Sequence, residues 1–490
     1  MTGLGAVAAW TSPLLVIAVV ARVAGGGVEA PLFVLAVSAA PLLALLAVPG
    51  PRRTPSGLAA TIGLLTVVCM LGAGFRAVAD VGHALGLETG ATLGSVVALV
   101  AVTTVWRDDH RVAATALVLG VGALLLALVM LAGAAALSPW AAWSRVASRG
   151  VFELGGRSEW TREGAQFPHL TTLTFTEPHR ITAVADVVLR VTERDRATAE
   201  RERRLAPGES LLLRPGDTLA IPAGARVRFE QGRRVPGAPP SGVTWADGAQ
   251  APRSRLFAWW AGLTLTLAGG ALMIVRPLGP PSRASAVLGP ATVLALVLAA
   301  AGWGVYAVDA APELSIGVPT ASLLVRLAPV VADEPWRSRI VTAIALALLA
   351  LFLGAAASLR RCVVDLVEAG SGGLGASSRR RVVEATTWVV MVGAAVAASR
   401  VIADGFTLLV HGSGLAAAVL IGPLLTIGES PAADRARARG ALAGGLIFVI
   451  VAALGRWPAL TGVPHDVARY PALVAAPCAW LVATFSRRVE

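Results

Sequence analysis

Long apolar stretches restrict the fold of this chain more than any other feature. About a dozen of them run for roughly 17 to 25 residues, the length that crosses a hydrocarbon layer of roughly 30 Å as an α-helix. Only 15% of the 490 residues are charged, whereas a soluble domain carries about a quarter. The sequence therefore predicts an all-α polytopic transmembrane helix bundle of about 12 spans and excludes a soluble globular enzyme.

The middle of the chain, residues 138–255, has a different composition. It holds 18 Arg and 13 acidic residues, the charge density of a soluble protein. Short runs of alternating or β-branched residues are separated by Pro and Gly, which is typical of strands and turns. These runs are Leu170–Thr176, Ile181–Val191, Leu211–Leu213, Thr218–Ile221 and Arg226–Phe229. We expect an inserted small all-β domain, sandwich-like or barrel-like, with the charged run Glu193–Arg204 as a helical turn or hairpin tip.

The inserted domain divides the chain into three parts. Residues 1–137 form an N-terminal membrane region of about 5 helices, and residues 256–490 a C-terminal membrane region of about 7. Short loops rich in Arg stay in the cytoplasm, and with twelve spans these loops all fall on one side. Both termini are then expected in the cytoplasm and residues 138–255 outside it, in the plasma membrane or a bacterial inner membrane.

One further apolar segment, residues 314–332, does not fit this topology as a span. It carries Arg326 at its centre, and a crossing there would place the Arg-rich loop around Arg379 outside the cell. We expect it to be an interfacial or re-entrant helix in an outer loop.

The basic residues serve topology in this scheme. The chain has a formal net charge of +12, which in a soluble protein would suggest nucleic acid as a partner. Because most of the excess lies in cytoplasmic loops, we expect contact with lipid headgroups and no nucleic-acid partner. The three cysteines, Cys69, Cys362 and Cys478, form no pair with metal-ligand spacing, so no metal site is predicted.

Four glycines at intervals of four residues enter the fourth predicted span. They are Gly82, Gly86, Gly90 and Gly94. On a continuous helix such glycines form a groove in which another backbone can approach closely. The pattern predicts tight helix packing, with a groove for a partner subunit or a flat cofactor as the alternative. Asp80, His83 and Glu88 flank it and could form an ion site at the outer face.

His411 is the only histidine within an apolar span. An ionisable group in hydrocarbon is costly and therefore a candidate for function. The stretch 383–428 is too long for one crossing, so a turn near Gly405 is expected, with Arg400 and Asp404 as an ion pair above His411. Proton relay, haem ligation and an interhelical hydrogen bond all remain open for this histidine.

Two short segments resemble known families. Gly216 to Gly224, with Pro222 between them, resembles the second motif of the cupins, which turns a strand tightly and then presents a metal-binding histidine. Val227 occupies the position of that histidine, so the resemblance implies a β-barrel turn without metal chemistry.

The second resemblance is to the haem-handling membrane proteins of cytochrome c maturation. It rests on Ala206-Pro-Gly-Glu-Ser210, on Trp260-Ala-Gly262 and on Gly269-Gly270. The Trp-rich haem-binding loop of that family is missing from the sequence. The resemblance implies a haem or electron-transfer factor that would use His411, with His83 or His465, as axial ligands.

The sequence contains few intramembrane polar groups and no P-loop, GxSxG, HExxH or CxxCH motif. We therefore predict a non-catalytic membrane protein that serves as an accessory, scaffold or assembly subunit of a larger membrane complex, with the lipid bilayer and other membrane subunits as partners. One alternative is a secondary transporter with a pathway around Arg400, Asp404 and His411. The other is the haem factor, and the sequence leaves open whether haem or another pigment is bound.

Overall fold

The fold is described from a computed structural model of the chain. The described residues are 7–27, 29–46, 57–103, 109–150, 165–167, 170–175, 177–193, 200–230, 235–236, 245–246, 253–278, 283–315, 320–370, 377–402, 404–425, 431–455 and 465–489.

Apolar α-helices make up most of this structure. The first six are α1 (Pro13–Gly25), α2 (Glu29–Leu46), α3 (Gly57–Ala84), α4 (Thr89–Thr103), α5 (Asp109–Ala135) and α6 (Pro139–Ser148). After the strands follow α7 (Arg253–Leu278), α8 (Arg283–Ala310), α9 (Thr320–Val331), α10 (Trp336–Gly370), α11 (Ser377–Val401), α12 (Gly405–Leu424), α13 (Pro431–Leu454), α14 (His465–Arg469) and α15 (Ala472–Val489). A short 3₁₀ turn, Pro312–Ser315, lies between α8 and α9.

Eight of the described helices are long and apolar enough to cross a membrane: α3, α5, α7, α8, α10, α11, α12 and α13. The prediction of a polytopic helical membrane protein is confirmed at this level. Four shorter apolar stretches lie in α1, α2, α4 and α15. Helix α9 has 12 residues and is about 18 Å long. It packs against α1 and α3.

Helix α12 lies at the centre of the second half of the bundle, and small residues bring its neighbours close. A Cβ at Gly269 in α7 would overlap the backbone of Ala417. On the other sides, a Cβ at Gly412 would lie 2.5 Å from the Cβ of Cys69 in α3, and one at Gly422 would lie 2.6 Å from Ala476 O in α15. The helices therefore touch backbone to backbone around α12, as small residues permit in membranes.

Eight strands lie between α6 and α7 in the described part of this segment. They are β1 (Ala165–Gln166), β2 (Thr171–Thr174), β3 (His179–Ala183), β4 (Val187–Thr192), β5 (Glu200–Leu205), β6 (Ser210–Leu213), β7 (Thr218–Ile221) and β8 (Arg226–Phe229). They form two antiparallel four-stranded sheets of order β1-β8-β3-β6 and β2-β7-β4-β5. This is the strand order of a jelly roll, a double-sheet fold that includes the cupins. The predicted β-region is confirmed.

The strands alternate between a buried face and an exposed face, so that one apolar core fills the space between the sheets. In β4, Val187, Leu189 and Val191 point inward, and their neighbours point out. The registers fix this alternation, with Thr171 opposite Ile221 and His179 opposite Leu213. Because side chains alternate with period two, a one-residue slip would move the core residues to the surface.

The cupin-like segment forms the two turns that bound β7. Gly216 and Gly224 have φ angles of 94° and 80°, which glycine adopts without steric cost. Their backbone NH groups donate to Phe175 O and Phe167 O, each at 2.7 Å. Val227 is fully buried in the core of the sandwich. The turn implied by the resemblance is thus present.

The charged run Glu193–Arg204 was predicted as a helical turn or hairpin tip. Its described residues 200–204 belong to strand β5, which pairs with β4, so the helical alternative is wrong there. The cross-strand pair Arg190–Glu202, 3.2 Å apart, shows that alternating charges here lie on the face of a sheet.

The segment that follows the sandwich is attached to the bundle by Trp245. Its indole NH donates to Val23 O in α1 at 3.0 Å, and its ring centroid lies 4.5 Å from that of Trp143 in α6. The side chain is fully buried. The chain is thus anchored at the C-terminal end of α1 before it enters α7.

Candidate functional site

Helix α6 positions two arginines beside the end of α8. Ser138 caps the helix by accepting a hydrogen bond from Ala141 N at 3.2 Å, and Pro139 occupies its first turn. The apolar residues Ala142 and Val146 are buried, so α6 lies along the bundle. Arg145 lies in the last turn of α6, and Arg149 is the C-cap residue that follows Ser148.

The carboxylate of Asp309 receives both arginines. It lies in the last turn of α8, and its side chain is only 4% exposed. Arg145 Nε donates to Oδ1 at 2.9 Å, and Arg145 Nη2 donates to Oδ2. Arg149 Nη2 lies 2.9 Å from Oδ1, and Arg149 Nη1 donates to the backbone carbonyl of Asp309 at 2.9 Å. We call these three residues the Arg–Asp–Arg cluster.

Tyr306 lies one turn before Asp309 in α8 and fixes the other end of α6. Its hydroxyl donates to Leu137 O, in the connection between α5 and α6. The ring is almost fully buried. The position of α6 therefore depends on two residues of α8, one neutral and one charged.

A cavity of about 360 Å³ opens beside the cluster. The described residues that line it are Ala135, Arg145, Arg149, Tyr306, Asp309, Ala310, Val330 and Val331. They are polar on the side of α6 and α8 and apolar on the side of α9. Two guanidinium groups face one carboxylate, so these lining residues carry a net charge of one positive unit.

These groups are suited to binding and not to proton transfer. Arginine stays protonated in proteins. The carboxylate of Asp309 is occupied by two guanidinium groups, and the Tyr306 hydroxyl by a carbonyl. Among the described lining residues none is a histidine, cysteine or serine. The described lining residues can therefore hold an anion, but among them there is neither an activated nucleophile nor a free base.

A second ion pair joins helices at the opposite end of the bundle. Arg360 Nη1 in α10 lies 2.8 Å from Asp109 Oδ1 at the start of α5, and both side chains are mostly buried. It stabilises the contact between α5 and α10. Neither this pair nor the Arg–Asp–Arg cluster is predicted by the sequence.

The predicted pair of Arg400 and Asp404 has a different arrangement. The carboxylate of Asp404 caps α12, accepting from Phe406 N at 3.0 Å and from Thr407 N at 3.1 Å. Arg400 is exposed in the last turn of α11. Within the described part of the chain no ion pair joins the two residues. The predicted turn between the two helices is present near Gly405.

His411 lies on the outer surface of the bundle. Its Nδ1 is 2.8 Å from Thr407 O, one turn earlier in the same helix. The ring meets Phe448 of α13 edge to face, with centroids 6.5 Å apart. The imidazole is exposed and not enclosed between helices.

The three candidate haem ligands lie in three different helices. His83 is exposed at the end of α3, His411 lies within α12, and His465 begins α14 with its side chain outside the described part. Across the described ranges there is no group of three or more His, Cys, Asp or Glu that could hold a metal ion.

The four predicted packing glycines lie on two helices and a turn. Gly82 packs closely, since a Cβ there would lie 2.6 Å from Thr92 Cγ2 in α4. Gly86 has a φ angle of 79° in the turn between α3 and α4. Gly90 and Gly94 belong to α4, and a Cβ at Gly94 would meet no atom within 4 Å. The helix break separates these glycines, so they form no continuous groove.

No protein-family model matches the chain, and no curated protein matches it. Eight helices among the described residues are long and apolar enough to cross a membrane. The chain is a multi-pass membrane protein.

Proposed function

We propose that this chain is a non-catalytic accessory, scaffold or assembly subunit of a larger membrane complex. The eight long and four shorter apolar helices all cross the membrane, with both termini in the cytoplasm. The jelly roll lies outside the cytoplasm, and α9 is a re-entrant helix in the outer half of the bundle. Helix α9 carries Arg326 near its middle, and a charged side chain is costly at the centre of a crossing helix.

The ends of the helices support this topology. Ala135 of α5, Ala310 of α8 and Val331 of α9 meet at one cavity. Trp245, which follows the strands, is attached to Val23 near the C-terminal end of α1. The sandwich between α6 and α7 is thus connected at one end of the bundle, opposite the Arg-rich loops of the cytoplasmic side.

The packing of the bundle supports a role other than transport. A transporter normally places polar or broken-helix positions near the membrane midplane. Here the central helix α12 is in backbone contact with its neighbours, as at Gly269 and Gly422. The charged pairs Arg145–Asp309 and Arg360–Asp109 join helices of the same chain, and both aspartates lie in the first or last turn of a helix.

The single observation that carries the proposal is the position of His411. Its imidazole lies on an apolar surface that would otherwise face lipid. Among the described residues its hydrogen-bond partner is Thr407 O and its ring contact is Phe448, and neither uses Nε2, so this nitrogen can bond a group from outside the chain. Polar side chains in hydrocarbon gain free energy from an interhelical hydrogen bond. A membrane helix of a partner subunit would supply that bond.

Helix α13, which packs against α12, offers room for such a partner. Only 22% of its most apolar part is buried within the chain. Leu446 and Val449 of α13 are among the exposed apolar residues. A partner helix beside His411 would bury this surface.

The test is the size of the protein extracted from its native membrane in mild detergent. We expect a complex of defined stoichiometry, larger than the 49.9 kDa chain, and we expect His411→Leu to release the partner while the chain keeps its melting temperature. His110→Leu, a substitution of the same type at the start of α5, should leave the complex intact. Elution of the wild-type chain as a stable monomer would contradict the proposal.

A further inference from the structure

The Arg–Asp–Arg cluster has more positive charge than the attachment of α6 to α8 requires. One bidentate arginine, Arg145, would be enough to neutralise Asp309. Arg149 adds a second guanidinium to the same carboxylate and to the carbonyl of the same residue. Each of these guanidinium groups has five N–H donors and directs two nitrogens at Asp309.

The surplus donors are accessible from the cavity. The side chains of Arg145 and Arg149 are 51% and 35% exposed, whereas that of Asp309 is 4% exposed. The carboxylate is thus held below the two guanidinium groups, which line the cavity. An anion that enters meets two planar cations from one side and no exposed acidic group among the described lining residues.

The cavity also has the size and the surroundings of a ligand site. Its volume of about 360 Å³ lies in the range of roughly 300 to 1,000 Å³ that such sites have. Four of the described lining residues are apolar, namely Ala135, Ala310, Val330 and Val331. A ligand with a charged head and an apolar body fits both kinds of lining residue.

The depth of the cavity favours a molecule from the membrane. Ala135 and Ala310 are the last residues of two helices long enough to span, so the cavity lies where hydrocarbon gives way to headgroups. Trp140 on α6 is 77% exposed, and exposed tryptophans are enriched at this level. Phosphate is the charged group that the headgroups of phospholipids share, and arginine pairs bind it through parallel N–H donors.

We propose that this cavity is a binding site for a phosphate-bearing anion, held by Arg145 and Arg149 above the buried carboxylate of Asp309. The ligand is the headgroup of an anionic phospholipid, whose glycerol end lies against the apolar lining residues of α8 and α9. Binding would fasten α6, and with it the start of the jelly roll, to the membrane surface. This site is independent of the partner proposed beside His411.

The experiment uses the purified full chain in dodecyl maltoside. Its melting temperature is titrated with dioctanoyl phosphatidylglycerol, with dioctanoyl phosphatidylcholine and with inorganic phosphate. We expect phosphatidylglycerol to raise the melting temperature at concentrations at which phosphatidylcholine does not. Arg149→Gln should weaken the apparent affinity for phosphatidylglycerol about tenfold or more, since it removes charge-assisted hydrogen bonds.

Two variants keep the result interpretable. Arg190→Gln, on the exposed face of β4 and paired with Glu202, removes the same charge and should leave the affinity unchanged. Arg149→Lys keeps the charge but loses the planar donors, and should have an affinity between those of the wild type and Arg149→Gln. The melting temperature of each variant without ligand shows whether it is folded.

The three ligands distinguish the source of the anion. Binding of phosphatidylglycerol that depends on Arg149 supports the lipid site. If inorganic phosphate binds as tightly, with the same dependence on Arg149, the anion site is supported and its ligand is a free phosphate compound. Absence of binding, or binding that Arg190→Gln weakens as much as Arg149→Gln does, overturns the proposal.

Discussion

Replacement of Asp309 by Asn tests whether the Arg–Asp–Arg cluster holds α6 to the bundle. The substitution keeps the shape of the side chain but removes the charge that two guanidinium groups share. Three contacts to the carboxylate oxygens are affected, two from Arg145 and one from Arg149. The contact of Arg149 Nη1 with the backbone carbonyl of residue 309 can persist.

The expected loss of stability follows from the exposure of the partners. Breaking a buried ion pair by removing one partner costs about 3–5 kcal/mol, because the remaining charge stays buried. Here Arg145 and Arg149 are 51% and 35% exposed and can be hydrated again, and asparagine retains one acceptor oxygen. We therefore expect Asp309→Asn to lower the free energy of unfolding by about 2–3 kcal/mol.

The assay is reversible unfolding of the full chain by SDS in mixed micelles. Asp434→Asn is the matched control, since Asp434 pairs with Arg437 in α13 with a side chain 64% exposed. We expect the control to change the free energy of unfolding by about 0.5 kcal/mol or less. An effect of Asp309→Asn no larger than that of the control would refute the idea that the cluster fastens α6.

Four further substitutions test the packing of the bundle and the sandwich. Gly269→Ala should destabilise the chain by about 2–3 kcal/mol in the same SDS titration, because its Cβ would overlap the backbone of α12. Gly94→Ala is the control: its Cβ would meet no atom within 4 Å, so it should be neutral or stabilising by up to about 1 kcal/mol. Gly224→Ala should cost about 1–2 kcal/mol through its φ angle of 80°, seen as faster proteolysis within the strand region; an unchanged rate would contradict the turn geometry. Arg360→Gln should cost about 2–4 kcal/mol because it leaves Asp109 mostly buried without this partner, and a loss below about 0.5 kcal/mol would show that the pair is not structural.

The membrane helices and the β-region could be predicted because their signals are local. A run of about 20 apolar residues has few stable alternatives to a membrane helix. In the same way, Gly216 and Gly224 indicate two turns, and the short strand β7 lies between them. The helical alternative for residues 200–204 was wrong because charges that alternate along a strand also give pairs at helical spacing. Pairing with β4 decides between the two structures.

The candidate site was less predictable because its residues are brought together by the fold. Arg145 and Asp309 are 164 positions apart. A weak signal exists, since Asp309 ends an apolar span and two arginines four residues apart follow another, but nothing in the sequence pairs them. The predicted glycine groove failed for a similar reason. The four-residue spacing gives a groove only on a continuous helix, and the turn at Gly86 interrupts the helix.

Photo-crosslinking in native membranes tests the central claim most directly. A photoreactive residue at Leu446, on the exposed face of α13, is compared with one at Leu119, on the exposed face of α5. The proposed subunit function predicts one protein adduct of defined mass in high yield from position 446 and its loss in the His411→Leu background, with lipid adducts only from position 119. Lipid adducts alone from both positions would contradict the claim that this chain is a subunit of a larger membrane complex.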